Sequence, residues 1–142
     1  MPTLPTGLKI TAFMLMICAC THTDRIRQGK NHAPMVVRIA EITIDSAYRE
    51  EYITILKENA AASVRAEPGV IAIYPMFQKE KPLEIRILEI YTSKEAYEAH
   101  LQTPHFKQYK SSTLHMVKSL RLVDMEAIDR ETMQQIFRKI GR

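Results

Sequence analysis

From Met35 onward the chain predicts an α+β domain of the ferredoxin-like type, with element order βαββαβ and an added C-terminal helix. Three observations lead there. Runs rich in β-branched residues recur at 35–44, 70–78, 83–91 and 117–125. Between the first two lies a long segment with apolar residues at helical spacing, and between the last two lie two short helical pieces. Strands and helices interleaved in this order commonly fold as one antiparallel sheet with its helices on one face. So small a domain leaves the other sheet face bare, and its apolar area predicts a homodimer packed sheet to sheet, a dimeric α/β barrel.

The first thirty-odd residues fall outside that pattern. "MPTLPTGLK" carries one charge, Lys9, and leads into the apolar run "ITAFMLMICA", too short for a mature membrane span and suited to a secretory signal. The run ends in "ICAC", which resembles the lipobox of bacterial lipoproteins, with Ile17, the small Ala19 and then Cys20; Cys18 departs from the usual small residue. The resemblance implies acylation of Cys20 and export as a membrane-anchored lipoprotein, periplasmic or outer-membrane. Residues 1–19 are thus expected to be a signal peptide, 20–34 a polar tether, 35–125 the folded domain and 126–142 an amphipathic helix. Both cysteines lie at the processing site, so the domain holds no disulfide, thiol nucleophile or zinc-thiolate set.

Charge is distributed in the same way. Of 20 basic and 16 acidic residues, four basic and one acidic lie in 1–34, so 16 basic and 15 acidic remain for 35–142. The pI near 9.1 is therefore largely a property of the leader and tether. With neither a basic stripe nor a tryptophan, the domain lacks the electrostatic footprint of a nucleic-acid binder.

"MVVRIAEITI" is the first strand, followed by "SAYREEYITILKENAAASVRAE", a helix with Asp45 or Ser46 as N-cap, Glu50 and Glu51 early, and a core stripe of Tyr52, Leu56, Ala60 and Val64. "PGV" at Pro68–Val70 stops it. "VIAIYPMFQ" is an edge or bulged strand, because Pro75 cannot donate to a ladder. "KEKP" turns the chain into "LEIRILEIY". "SKEAYEAHL" and "TPHFKQYKSSTLH" are helical, and "VKSLRLVDM" is the last strand. In the tail, Ile128, Met133, Ile136, Phe137 and Ile140 form an approximate helical stripe expected to dock on its own or a partner subunit.

Chemistry concentrates in "HLQTPHFKQY". Thr103 before Pro104 is a helix-start signature, which puts His105 in a first turn and His100 in the last turn of the preceding helix. The macrodipole disfavours a cation at the first and favours one at the second, a division suited to base and acid. The pair equally suits two helix-end residues without chemistry. Metal ligation is not expected: Pro104 breaks the helix that would align histidines four apart, and no third ligand is evident. On the strands, Glu89 follows Leu83, Ile85 and Ile87 on one face, and Glu41 follows Val37 and Ile39. If the first and third strands are parallel neighbours, the two carboxylates share one end of the sheet and one pKa rises. A salt bridge to Arg38 or Arg86 is the alternative.

"EPGV", "EIY" and "AYEAHLQTPHFKQY" resemble the antibiotic biosynthesis monooxygenase domain, in particular its small quinol-oxidising branch, over about residues 35–125. The resemblance implies oxygenation of a quinol or electron-rich aromatic without flavin, haem or metal, molecular oxygen being the co-substrate. Matched by position, it implicates Glu89, Tyr91, His100, His105 and Phe106. On that footing His105 is the expected base, His100 and Glu89 orient or shuttle the proton, and Tyr91, Phe106, Glu41 and Arg38 contact substrate. The same stretch is similar to the isomerase that degrades phosphorylated autoinducer-2, a cytosolic chemistry at odds with export. Haem-degrading relatives use a tryptophan, which this chain lacks. A non-catalytic lipoprotein that holds a small apolar molecule remains the alternative from another class.

Overall fold

Alternating β-branched residues make β1 (Val36–Ile44) a strand, and Asp45 ends it by accepting a hydrogen bond from the Ala47 amide, which starts a 3-10 turn at Ser46–Tyr48. The computed structural model describes residues 34–140. The signal peptide, Cys20 and the tether up to residue 33 lie outside the described residues. Helix α1 (Arg49–Ala66) carries Glu50 and Glu51 in its first turn, where the helix dipole favours them. After it come β2 (Val70–Gln78), β3 (Lys81–Tyr91), α2 (Lys94–His100), α3 (Pro104–Thr113), β4 (Val117–Met125) and α4 (Arg130–Ile140). The order is βαββαβ, α2 and α3 together filling the second helical place, with α4 added. This is the ferredoxin-like α+β fold.

The sheet runs β2-β3-β1-β4 with every neighbouring pair antiparallel. The expected parallel pairing of the first and third strands is therefore wrong. The α1 crossover returns the chain so that β2 runs parallel to β1, and the β2–β3 hairpin then reverses β3 against both. The correct register sets Arg38 opposite Glu89 and Glu41 opposite Arg86, which separates the two carboxylates by three positions and by the two faces of the sheet. Pro75 lies on β2, an edge strand, as its missing donor requires.

One face carries the core. Ala40, Ile42 and Ile44 from β1 and Ile85 and Ile87 from β3 meet Tyr52, Leu56 and Ala60 of α1, all at most 6 % exposed. Each such Ile or Leu contributes about 1.5–3 kcal/mol by leaving water. The helical stripe is rotated from the expected one. Val64 is 48 % exposed, and the buried line runs instead through Asn59 and Ser63, where the Ser63 hydroxyl donates to the Asn59 carbonyl at 2.9 Å. Gly69, in the turn after α1, is required by close approach: a Cβ there would lie 2.5 Å from the Ala96 Cβ, so any side chain would push α2 off the sheet. In the C-terminal segment Ile128 and Ile136 are exposed, so this part of the apolar stripe is not covered within the described chain.

Candidate active site

Three helix ends converge, those that close α1 and α2 and the one that opens α3. Glu67 is the residue that closes α1, its amide donating to the Ser63 carbonyl. His100 is the last residue of α2. His105 lies in the first turn of α3, whose start is fixed by Pro104 and by the Thr103 hydroxyl accepting from the Phe106 amide. The Glu67 carboxylate takes His100 Nδ1 at 2.9 and 3.1 Å and His105 Nε2 at 2.5 Å. Burial works to raise the Glu67 pKa, but the hydrogen bonds and charges of the two imidazoles outweigh it and hold the carboxyl below its usual range. An ionised carboxylate can only accept, so both imidazoles donate to it. The Nδ1 proton of His100 is thereby engaged on Glu67, so that in the neutral ring Nε2 is the nitrogen with the lone pair.

That second nitrogen belongs to a ring on the wall of a cavity of about 590 Å³ between the sheet and the helices, a size typical of small-molecule sites. Around His100, itself 3 % exposed, lie Tyr91 and Phe106 with ring centroids at 5.4 and 4.7 Å. Tyr91 donates to Glu89 at 3.1 Å. Burial raises the Glu89 pKa above its usual value despite that bond and the nearby Arg38 charge, and the Tyr91 hydroxyl is pushed up by burial and then by Glu89. Arg38 lies on the same wall with its guanidinium 4.5 Å from the Tyr97 ring centroid, and its Nε donates to Asp124 at 2.7 Å. Further along, Tyr109 shares a 2.7 Å hydroxyl contact with Tyr52. The chamber is largely apolar, with the Arg38 guanidinium and the His100 imidazole among its polar groups.

The residues singled out from sequence do not all arrive here. His100, Glu89, Tyr91, Phe106 and Arg38 line the cavity. His105 does not; it stands behind His100 with its Nε2 on Glu67. Glu41 is on the opposite sheet face, 27 % exposed at its side chain, where Arg121 Nε donates to it at 2.8 Å and Arg86 sits 3.8 Å away, so the salt bridge and not a substrate contact describes it. His115 packs edge-on against Tyr48. Glu67 was missed as a site residue, although it is the first letter of "EPGV". An acidic residue at a helix C-terminus, where the dipole disfavours it, was the available signal.

Glu67 is also the third donor that the histidine pair lacked for holding a metal. One atom from each of Glu67, His100 and His105 lies within 4.8 Å of the others. The separations of 2.9 and 2.5 Å are those of hydrogen bonds; a tetrahedral ion with bonds of about 2.1 Å would spread its donors to about 3.4 Å. The group as it stands is arranged around protons.

No curated protein matches the chain. Among solved structures, a provisionally assigned antibiotic biosynthesis monooxygenase from Bacteroides thetaiotaomicron is 45% identical, with TM-score 0.66, over 67% of this chain and 90% of that one. A provisionally assigned monooxygenase from Lactobacillus acidophilus is 29% identical, with TM-score 0.64, over 66% of this chain and 46% of that longer one. A third, from Nitrosomonas europaea, shares the fold at 18% identity and TM-score 0.64, over 68% of this chain and 92% of that one. The profile of the antibiotic biosynthesis monooxygenase family matches residues 35–112, the stretch that runs from β1 through the His100 and His105 segment. More than half of the sequence is thereby matched, and the chain belongs to the antibiotic biosynthesis monooxygenase family.

Proposed function

We propose that the protein is a cofactor-independent oxygenase of a quinol or similarly electron-rich phenol, with His100 as the base. The observation that carries the reading is the Glu67–His100 pair, which engages one nitrogen of a buried imidazole on the wall of a largely apolar cavity. His100 Nε2 removes a phenolic proton, and the Arg38 guanidinium stabilises the resulting anion in a site of low dielectric. The anion passes one electron to molecular oxygen, and recombination at a ring carbon gives a peroxide. Loss of water, with the proton returned from His100, leaves a carbonyl on the ring. A quinol and O2 thus become a hydroxyquinone and water, and the substrate supplies all four electrons. His105 helps fix Glu67, which makes it a positioning residue.

Two further parts of the proposal concern assembly. The open sheet face presents Val37, Ile39, Leu88 and Val123, half-buried in the single chain, with Tyr74, Met76 and Met125 exposed beside them, and it supports a sheet-to-sheet homodimer. The apolar leader and the "ICAC" sequence support export and anchoring through an acylated Cys20.

The test is oxygen consumption by chelator-treated protein with naphthalene-1,4-diol, menadiol and catechols, with products identified by mass. Uptake above the spontaneous rate and one oxygen atom from 18O2 in the product are expected. Recovery of every phenol at its spontaneous rate, with ligand bound but unchanged, would establish the non-catalytic binding function instead.

A further inference from the structure

Asn59 is the odd residue of the cavity. It sits mid-way along α1, 7 % exposed, on the wall of the chamber, and its side-chain Oδ1 has no hydrogen-bond partner. Buried carboxamide oxygens are nearly always paired, because one left unserved has lost water and gained nothing. The neighbouring hydroxyls bond other partners. Thr113 Oγ1 donates to the Tyr109 carbonyl at 2.8 Å, Ser63 Oγ to the Asn59 carbonyl at 2.9 Å, and the Tyr52 and Tyr109 hydroxyls meet each other at 2.7 Å. A core position with no other duty would be filled better by Leu, as the preceding turn shows with Leu56 on the same wall.

Its place along the helix gives the unserved oxygen a meaning. Asn59 precedes Glu67 by eight residues, about 12 Å along the axis of α1 at 1.5 Å per residue. Glu67 holds His100, so the cavity wall carries two polar residues set apart along α1, His100 and Asn59. Between them the wall is apolar, with Ala40, Ile42, Ile73 and Ile87 from the sheet. A ligand that satisfies both carries a hydroxyl at each end of a flat hydrocarbon body.

We propose that Asn59 is a specificity-determining residue whose Oδ1 accepts a hydrogen bond from a second hydroxyl of the ligand, remote from the one that faces His100. The inference rests on the reading of the cavity as a phenol site and narrows it: the chamber selects diphenols with hydroxyls at opposite ends over monophenols of the same shape. A monophenol leaves Oδ1 buried without a donor, and sites built to pair a hydroxyl discriminate strongly against ligands lacking it. Selection here acts on binding, and so is separable from turnover.

The experiment is anaerobic calorimetry of the whole protein with naphthalene-1,4-diol and with 1-naphthol, which drops one hydroxyl and adds no bulk. Wild type is expected to bind the diol roughly ten- to a hundredfold more tightly. Asn59→Leu should remove that preference by weakening the diol and strengthening the monophenol, and Asn59→Ala serves as the second variant should the larger side chain disturb α1. Equal affinity in wild type, as expected if a retained cavity water serves Oδ1, overturns the role of Asn59 alone. So does a preference that survives in either variant. Failure of both phenols to bind overturns the phenol reading of the cavity together with this inference, whereas preference without oxygen uptake overturns only the oxygenase chemistry.

Discussion

The two faces of the sheet are built from the same strands, one residue out of step, and they do different work. On the covered face β1 offers Arg38, Ala40 and Ile42, and β3 offers Ile85, Ile87 and Glu89, a charge at one end of each apolar row. On the open face the same strands offer Val37, Ile39 and Glu41 against Arg86 and Leu88. Charges occur on both, yet only those on the covered face are enclosed with a cavity. Glu41 finds Arg121 and Arg86 at the surface, whereas Glu89 is half-buried against Tyr91, with its pKa raised. Environment, and not residue type, separates a surface ion pair from a carboxylate on a cavity wall.

The largest effect expected from breaking the covered face is loss of oxygen uptake in His100→Ala, by about a hundredfold to ten-thousandfold, since that is the usual cost of losing a general base. His105→Ala should cost less, because its imidazole reaches the cavity only through Glu67. This reverses the ranking that helix position alone suggested. Steady-state rates with naphthalene-1,4-diol, alongside thermal melts of both variants, decide between them. A ranking with His105 as the more damaging loss would return the base to α3.

Much of this was legible in the sequence, and the failures share a cause. Element order, the helix start at Thr103–Pro104 and the grouping of Glu89 with Ile85 and Ile87 all follow from local pattern, because capping, strand period and proline stereochemistry act within a few residues. Strand direction does not. Whether β1 and β3 run parallel depends on how the α1 crossover and the β2–β3 hairpin combine, and the parallel reading alone puts Glu41 at the same end of the sheet as Glu89. Hydrophobicity alone draws the stripe through Val64, whereas the helix buries Ser63, a small side chain that bonds the Asn59 carbonyl of its own helix. Glu67 was missed because its partners lie 33 and 38 residues away. Sequence separation of that size hides a contact even when every participant is in plain view.

The open face is sharpened by Leu88→Arg. Leu88 pairs in register with Ile39 and Tyr74 in the middle of that face, so a charge there opposes any sheet-to-sheet contact. Removing a central apolar contact and burying an unpaired charge typically costs several kcal/mol of association, about 2–5 kcal/mol by analogy with buried charges elsewhere. Sedimentation should show a dimer for wild type and a monomer for the variant at the same concentration. Arg38, Asn59 and His100 stand on the covered side of the sheet, away from that contact, so the monomer should keep binding naphthalene-1,4-diol within a few-fold. A monomeric wild type would remove the sheet-to-sheet dimer from the proposal.

The smallest effect lies within the covered face, between its two carboxylates, and it has opposite signs. Glu67 has a depressed pKa in the folded protein, so its contribution to stability is present above its ordinary value of 4.5 and is lost as pH falls through the folded value. Glu89 has a raised pKa, so its contribution is present below 4.5 and is lost as pH rises through the folded value. Glu67→Gln should therefore destabilise at neutral pH, by about 1.5–3 kcal/mol for the loss of charge-assisted hydrogen bonds, with the deficit shrinking toward pH 4. Glu89→Gln should do the reverse: relative to wild type it becomes more favourable as pH rises, because ionising the native side chain in this half-buried site costs stability, and the advantage fades on acidification. Urea unfolding midpoints of the two variants and wild type between pH 4 and 8 measure both slopes. Parallel profiles would mean that the two carboxylates experience the same environment, and the distinction between a carboxylate serving two imidazoles and one facing the cavity would fall.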